Sequence, residues 1–283
     1  MRPDRRALLV PLFLAAALPG AAAPLRGQEW RTVTSARQIQ SERQLNVQVQ
    51  YGGGDLRLRP APGGLLYQLR MRYDERQMRP VTEYDRAAGR LRLGVEGVRR
   101  NQRAQRGGNA NIALAPTVPT TLSLEFGAGR ASLELGGLSL RSVDLSTGAS
   151  ETEVTFAAPN RVQAETVRVA AGASRLRMRG LGNARAERFV LEGGVGEATL
   201  EFDGAWARNA SLDVEMGLGS LTMRFPRTLG VRIQREGFLT RFSPAGMVRR
   251  GDAWYSRNWD SARYRLTVRI DAALGAINVQ WMD

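Results

Sequence analysis

The feature that most constrains the fold is a glycine-led triplet that recurs at an almost constant interval. The triplets occupy residues 127–129, 148–150, 172–174, 194–196 and 217–219, so their third residues lie 21, 24, 22 and 23 positions apart. A fixed period of this length is typical of repeat architectures, in which each unit stacks on the next. We call the third residue of each triplet, which is Gly or Ser, the corner residue of its repeat.

The segments on both sides of each corner residue alternate between apolar and polar side chains. In the three alternate positions after the corners, 13 of 15 residues are apolar, and all 15 residues between them are polar. Segments before the corners alternate in the same way, as at Leu122, Leu124 and Phe126. A strict period of two predicts strands with one buried face. Two further copies flank Gly54 and Gly275, so the repeat begins near residue 45 and returns at the C-terminus.

The outward charges distinguish a coil from a stack of hairpins. The position after each corner reads Arg130, Glu151, Arg175 and Glu197 in successive repeats. In a parallel stack these side chains lie about 4.8 Å apart, and each pair of opposite charges contributes roughly 0.2–1 kcal/mol. The sequence therefore predicts an all-β fold, a single-stranded parallel β-helix (β-solenoid) with about 22 residues per coil. In this fold the Glu and Arg side chains of adjacent coils pair with one another and stabilise the stack, rather than forming a catalytic site.

The two ends of the chain depart from the repeat. Residues 1–23 are typical of a signal peptide, with Arg2, Arg5 and Arg6 before a short apolar run; an uncleaved anchor is the alternative. We divide the rest into an N-terminal cap with the first coils, the regular coils, and a C-terminal capping excursion with the last coil. These are residues 24–121, 122–225 and 226–283 of one continuous solenoid domain.

Local signals in the two ends give finer expectations. The sequence around Met78-Arg79-Pro80 and residues 85–89 indicates turns, and residues 99–109 indicate an exposed, mobile loop. The aromatic excursion 227–260 indicates a cap and core rather than an aromatic platform for a ligand, since a solenoid must cover its open ends.

The composition excludes several kinds of chemistry. All 41 basic residues are Arg, and the chain has no Lys, Cys or His. Thiol nucleophiles, His-ligated metals, Ser-His-Asp triads and P-loop lysines are thereby excluded. We expect no enzymatic activity, no cofactor and no metal site. The acids best placed for catalysis are Glu151, Glu153, Glu197 and Glu201, and an enzyme acting on acidic polysaccharide is an alternative by analogy with other β-helices.

The net charge of +14 lies mainly at the two ends of the chain. Residues 122–225 carry −2, whereas residues 24–121 carry +9 and residues 226–283 carry +5. Such a field attracts anionic polymers. The alternative is that the abundance of Arg reflects a GC-rich genome and has no functional role. The expected anion-binding patch comprises Arg57, Arg59, Arg70, Arg72, Arg76, Arg99, Arg100, Arg103 and Arg106.

The segment LSLEFGAGRASLELGGLSLRSVDL at 122–145 resembles the bacterial toast-rack family of adhesin-like envelope proteins. The C-terminal segments MGLGSLTMRFP, DAWYSRNWD and ALGAINV are similar to the C-terminal domain of LiaF-like proteins. The resemblance covers residues 45–283 and implies a right-handed β-helix. It carries over no catalytic or binding residue, because the shared pattern consists of turn and core positions.

Three functions follow as hypotheses. The first is a non-catalytic β-solenoid, exported to the periplasm or cell surface, that binds or scaffolds a cell-envelope component. Its partner would be an envelope polymer or envelope protein, with peripheral contact to an anionic membrane surface and no binding of nucleic acid. The second, from family analogy, is a regulator of a cell-wall stress sensor kinase. The third is the polysaccharide-active enzyme.

Overall fold

The computed structural model describes residues 29–97, 108–236 and 239–283 of the chain. It consists of strands and one short 3-10 turn at Leu181–Ala184. The strands are β1 (Trp30–Gln38), β2 (Leu45–Pro60), β3 (Leu65–Asp74), β4 (Met78–Asp85), β5 (Arg90–Gly97), β6 (Asn109–Leu114), β7 (Thr120–Glu134), β8 (Leu140–Thr155), β9 (Ala164–Arg179), β10 (Ala186–Glu201), β11 (Ala210–Pro226), β12 (Gly230–Glu236), β13 (Leu239–Ser243), β14 (Met247–Arg250), β15 (Ala253–Ser256) and β16 (Arg265–Met282).

Each regular coil contributes one long strand, and these strands stack in parallel in the order β2, β7, β8, β9, β10, β11, β16. Corner residues align from coil to coil, as in Gly54 with Gly129 and Gly196 with Gly219. Gly219 aligns with Gly275 although 56 residues separate them, because the C-terminal excursion lies between the two in sequence. The chain is therefore an all-β solenoid, as the repeat predicts.

Every long strand bends at its corner, and the alternation changes phase there. In β7 the buried residues before the corner end at Phe126, and those after it begin at Ala131. We call the parts of a strand before and after its corner the first and second arms. In a straight strand, residues five positions apart point to opposite faces, so the apolar side chains of the second arm would face solvent. The bend compensates, so the apolar sides of both arms face one core.

The corner requires glycine in most coils. Gly219 has φ +152°, and a Cβ there would lie 1.8 Å from the carbonyl oxygen of Gly196 in the coil below. Gly129 has φ +117°, and its Cβ would lie 2.2 Å from the Gly54 oxygen. A side chain at either position meets both backbone strain and overlap with the neighbouring coil. The serine corners at 150 and 174 avoid positive φ.

The core is one continuous cluster of buried apolar side chains along the stack. Aromatic residues align within it, with the rings of Phe202 and Phe225 stacked at 5.0 Å and Trp281 next at 5.8 Å from Phe225. On the loop side, the buried Asn160 side chain accepts from the Leu140 N–H and donates to the carbonyls of Leu140 and Val162. Such satisfied buried amides hold consecutive loops in register.

Short strands cover both ends of the stack. At the N-terminal end, β5 pairs with the first arm of β2, while β6, β3 and β1 follow one another on its second arm. At the C-terminal end, β12 covers the first arm of β16 and β13 covers its second arm. The residues of the aromatic excursion thus form the last layer, with Phe242 and Trp254 packed against the core.

One expectation for the N-terminal end is wrong, and two others fall mainly outside the described residues. The turn predicted at Met78-Arg79-Pro80 is wrong, because these residues begin β4, which pairs antiparallel with β5. Pro80 is tolerated because β4 is an edge strand, where a missing N–H costs no ladder hydrogen bond. The loop predicted at 99–109 lies outside the described residues up to 107, and Asn109 already belongs to β6. The predicted signal peptide at 1–23 also lies outside the described residues.

Candidate anion-binding face

The charged columns after the corners form ion pairs between adjacent coils, as the sequence predicts. Arg130 lies 3.7 Å from Glu151, and Arg175 lies 3.3 Å from Glu197. Glu201 lies between two guanidinium groups, 3.1 Å from Arg224 and 4.0 Å from Arg179. We call these paired columns the charge ladder. They compensate each other across neighbouring strands and need no external ligand.

One ion pair of the charge ladder does not follow the strand register. Glu153 aligns with Arg177 in register but forms its ion pair with Arg179, at 3.1 Å. Arg179 is therefore shared between Glu153 and Glu201, and the four acids considered for catalysis all contact guanidinium groups. Among the residues the structure describes, no group of three metal-binding side chains occurs.

The arginines predicted to bind anions lie on a different part of the outer surface. Residues Arg57 and Arg59 extend from the second arm of β2, and Arg70 and Arg72 extend from β3. Strand β6 lies between β2 and β3 and pairs with both. All four side chains are exposed. We call this surface the arginine face, comprising Arg57, Arg59, Arg70 and Arg72.

The sheet register gives the spacing within the arginine face. Arg57, Asn111 and Arg70 occupy one row across β2, β6 and β3. Since adjacent strands lie about 4.8 Å apart, the two arginine backbones in this row are roughly 10 Å apart. Along each strand the two arginines are two residues apart, or about 7 Å. Because β3 runs antiparallel to β6, Arg72 shares the next row on one side with Asp55, and Arg59 lies in the next row on the other side. The four arginines therefore form a slanted grid, in which Arg59 and Arg72 are about 14 Å apart along the strand direction.

Most of the arginine face has no internal counter-charge. Among the described residues, Arg57, Arg59 and Arg70 form no ion pair. The guanidinium carbon of Arg72 lies over the Trp30 ring, 4.6 Å from its centroid, a cation–π contact that leaves its charge uncompensated. Guanidinium groups present planar, paired donors that match phosphate and carboxylate oxygens.

The remaining residues of the predicted patch do not join this grid. Arg76 lies in the turn after β3 and forms an ion pair with Glu29, at 3.2 Å. Arg99, Arg100, Arg103 and Arg106 lie outside the described residues. The structure therefore brings four of the nine arginines onto one face of the sheet.

One shifted carboxyl group lies near the N-terminal end. Burial alone would raise the pKa of Glu42, but hydrogen bonds from the Gln40 N–H and the Tyr84 hydroxyl outweigh burial and lower that pKa. In Tyr84, burial and the same hydrogen bond to Glu42 raise the pKa. These groups fasten the segment before β2 to β4 and take no part in the arginine face.

Sequence reasoning missed a second charged surface, before the corners. Four carboxylates align on the outer side of consecutive strands β10, β11, β16 and β12: Glu192 with Glu215, Glu215 with Asp271, and Asp271 with Glu236. Applying the repeat register to the fourth residue before each corner would have found Glu192, Glu215 and Asp271. We call these four residues the carboxylate column.

The carboxylate column borders an open groove of about 1050 Å³ that runs across the coils beside the corners. Its lining includes the glycines two residues before the corners, such as Gly194 and Gly217, together with Glu192, Glu215 and Asp271. We call it the corner groove. Within the described residues, no helix is long and apolar enough to cross a membrane.

Comparison of the sequence with known protein families identifies one match. The model of the N-terminal domain of toast_rack, DUF2154, matches residues 26–176, more than half of the chain. No curated protein matches the chain.

Among solved structures, a candidate cell adhesion protein from Clostridium sporogenes is similar over 90% of this chain and 100% of its own, with 16% identity and a TM-score of 0.47. A candidate adhesin from Bacteroides fragilis is similar over 88% and 97%, with 12% identity and a TM-score of 0.43. A candidate lipid-binding protein from Parabacteroides distasonis shares 10% identity over 88% and 97%, with a TM-score of 0.36. Likenesses this weak transfer no function to the chain.

Proposed function

The chain belongs to the toast_rack family, and we propose that it is a non-catalytic, exported β-solenoid that binds an anionic component of the cell envelope through its arginine face. The stack of coils serves as a scaffold that holds the arginines of the face in register. The ligand is a surface or polymer with repeated anionic groups, either phosphate of lipid headgroups or carboxylate of acidic sugars.

The observation that supports this proposal is the contrast in charge compensation. In the charge ladder, arginines such as Arg175 and Arg224 have carboxylate partners in the next coil. In the arginine face, Arg57, Arg59 and Arg70 have none among the described residues. Guanidinium groups held close together repel one another, and an external anion relieves that repulsion.

The ligand is expected to be extended rather than small. A single phosphate contacts one or two guanidinium groups, whereas the grid spans about 10 Å across the strands and about 14 Å along them. The face is an open sheet surface, so it offers no enclosure for a small molecule. A repeating anion gains from several weak contacts at once, because later contacts form at high effective concentration.

Binding to two anionic probes tests the proposal. The mature chain would be mixed with phosphatidylglycerol-containing vesicles and, separately, with polygalacturonate, using phosphatidylcholine vesicles and dextran as uncharged controls. We expect binding to at least one anionic probe and loss of that binding near 1 M salt, where the Debye length falls to about 3 Å. The probe that binds distinguishes lipid from sugar as the source of the anion.

The triple variant R57Q/R59Q/R70Q tests the site. We expect it to fold normally and to bind the anionic probe at least tenfold more weakly. Binding to neither probe, or equal binding by the triple variant, would contradict the proposal. Export is tested separately, by fractionating cells that express the full chain and sequencing the N-terminus of the mature protein.

A further inference from the structure

An apolar ridge runs along the corners of the last coils. Val195, Leu218 and Leu274 are 54%, 45% and 45% exposed, and they account for three of the four large exposed apolar side chains among the described residues. The register aligns Val195 with Leu218 and Leu218 with Leu274, so the three form one column across β10, β11 and β16. Adjacent members are about 4.8 Å apart. We call them the apolar ridge.

Contiguous exposed apolar groups in register mark an interaction surface more often than scattered ones do. The equivalent positions in the earlier coils hold Ala128, Ala149 and Ala173. The large side chains are therefore confined to the coils in which the carboxylate column also occurs. Each ridge residue lies three positions after a carboxylate of its own strand, as Leu218 follows Glu215, which is about 10 Å along an extended chain.

The corner groove lies beside the ridge, and its floor is made of glycines such as Gly194 and Gly217. A polypeptide backbone can approach this floor closely, because no side chain projects from it. The carboxylate column forms the wall. Glu192 forms an ion pair with Arg168, while Glu215, Asp271 and Glu236 form none among the described residues. Like charges directly opposite on neighbouring strands destabilise a sheet, so this wall favours an occupant that brings positive charge.

We propose that the apolar ridge and the corner groove together bind an extended, basic, amphipathic segment of a partner protein. Its basic side chains contact the carboxylate column and its apolar side chains contact the ridge. The four carboxylates span about 14 Å, which an extended segment covers in four to five residues. Alternating basic and apolar residues place the two kinds of side chain on opposite sides, one toward the carboxylate column and the other toward the apolar ridge.

Charge complementarity selects this occupant over others. A second copy meeting the same surface would bring carboxylate against carboxylate, and an anionic membrane would be repelled by the column. The arginine face is at the other end of the stack, so the two surfaces can be occupied together. In this arrangement the solenoid joins an anionic envelope component to a basic partner, but the groove proposal does not depend on the arginine face.

The test uses the labelled peptide Arg-Leu-Arg-Leu-Arg-Leu and fluorescence anisotropy with the full mature chain. The control peptide Arg-Arg-Arg-Leu-Leu-Leu has the same composition and charge without the alternation, and Glu-Leu-Glu-Leu-Glu-Leu has the opposite charge. We expect the alternating basic peptide to bind at least tenfold more tightly than either control. The net positive charge of the chain repels a cationic peptide, so binding of this peptide indicates a local acidic surface.

Two protein variants locate the site. We expect E215Q/D271N and L218S/L274S each to weaken peptide binding at least tenfold, and E151Q/E197Q, which removes two charges of the ladder, to change it less than twofold. The variant R57Q/R59Q/R70Q should retain peptide binding, so failure of the anion proposal and failure of this one are separable. Urea unfolding of each variant confirms that it is folded.

Three results would overturn the proposal. The alternating and block peptides could bind equally, or the groove variants could bind like the unaltered chain. In the third result, L218S/L274S would abolish self-association in sedimentation, or binding to vesicles, while peptide binding is unchanged. That result would assign the ridge to a second copy or to a membrane.

Discussion

The charge ladder and the arginine face lie on the same outer side of the same sheet, yet they use arginine in opposite ways. In the ladder, Arg175 lies one strand from a carboxylate in the next coil. In the face, the neighbour of Arg57 across the row is Asn111, and the next residue is Arg70. Paired charges compensate each other within the fold, whereas unpaired charges of one sign remain available to an external anion.

This difference separates stability from binding. Exposed ion pairs each contribute at most about 1 kcal/mol, so losing them weakens the fold slightly and changes no recognition. Removing an unpaired cation from an exposed face leaves the fold unchanged or slightly more stable, because repulsion is reduced. The same holds for the unpaired members of the carboxylate column, whose charge is negative: removing one of them should leave the fold unchanged or slightly more stable.

The comparison depends on the coil register, and substitution at a corner would break it. G219A places a Cβ 1.8 Å from the Gly196 oxygen at φ +152°. Overlap of this kind costs about 1–3 kcal/mol and the backbone strain about 1–3 kcal/mol. We expect a loss of at least about 2 kcal/mol in the free energy of unfolding, measured with urea.

A glycine with positive φ and no close neighbour provides a comparison in which the overlap is absent. Gly251 also has positive φ, +64°, but nothing lies within 4 Å of its added Cβ. G251A should therefore cost only the backbone term, about 1–2 kcal/mol. Equal losses for the two variants would contradict the close approach of the Gly196 and Gly219 coils.

The next largest effect is expected when one charge of the ladder is reversed, which tests whether the paired arginines contribute to stability. In E201R, three guanidinium groups would align where a carboxylate now separates Arg179 and Arg224. We expect a loss of roughly 1–2 kcal/mol, since two attractive pairs of about 0.2–1 kcal/mol each become repulsive. The compensating change R224E should restore part of the stability in a double-mutant cycle. A cycle with no coupling energy would mean that the ladder is not a stabilising device.

Neutralising a charge in the carboxylate column should raise the free energy of unfolding, whereas neutralising a charge in the ladder should lower it. In E215Q, one of four aligned carboxylates loses its charge, so we expect a gain of about 0.2–1 kcal/mol. E201Q, the same chemical change in the ladder, should lose a similar amount. Thermal unfolding at low salt measures both, and the difference should shrink as salt rises. A loss of stability in E215Q would contradict the view that Glu215 has no compensating charge.

The smallest expected effect depends on pH and concerns Glu42. Its pKa is lower in the folded protein than in the unfolded chain. Its contribution to stability is therefore present above the unfolded pKa and is lost as the pH falls through the folded pKa. We expect E42Q to be slightly less stable than the unaltered chain at neutral pH. The two should be equally stable at a pH below the folded-state pKa of Glu42, where this carboxyl group is protonated in the unaltered chain. A pH-independent difference between the two would contradict this assignment.

Much of the fold could be predicted from the sequence because its signals are local and periodic. Alternation around Gly129 and Gly219 gives strand position, buried face and register together, and the ion pairs of Glu151 and Glu197 follow from that register. The turn wrongly predicted at Met78 shows the limit. Pro80 signals a break in a central strand, and only the edge position of β4, a tertiary property, permits it.

The candidate sites were predictable to different degrees. Alternation places Arg57 and Arg70 on the outside of their strands, but their proximity depends on β6 lying between β2 and β3. That pairing joins residues far apart in sequence and has no periodic signal. The carboxylate column was visible in the repeat register as far as Asp271. Glu236 was not, because β12 belongs to the excursion and its alignment with β16 is set by the end of the stack.

The measurement that tests the central claim most directly compares R57Q/R59Q/R70Q with R175Q/R179Q/R224Q. Both variants lose three positive charges, one set from the arginine face and the other from the charge ladder. For each, the affinity for the anionic probe and the melting temperature would be measured in parallel. We predict that the face variant binds at least tenfold more weakly with an unchanged melting temperature. The ladder variant should bind within about twofold of the unaltered chain and melt several degrees lower, since 1 kcal/mol corresponds to roughly 2–4 °C. Equal loss of affinity in both variants would contradict the account, because binding would then follow net charge alone.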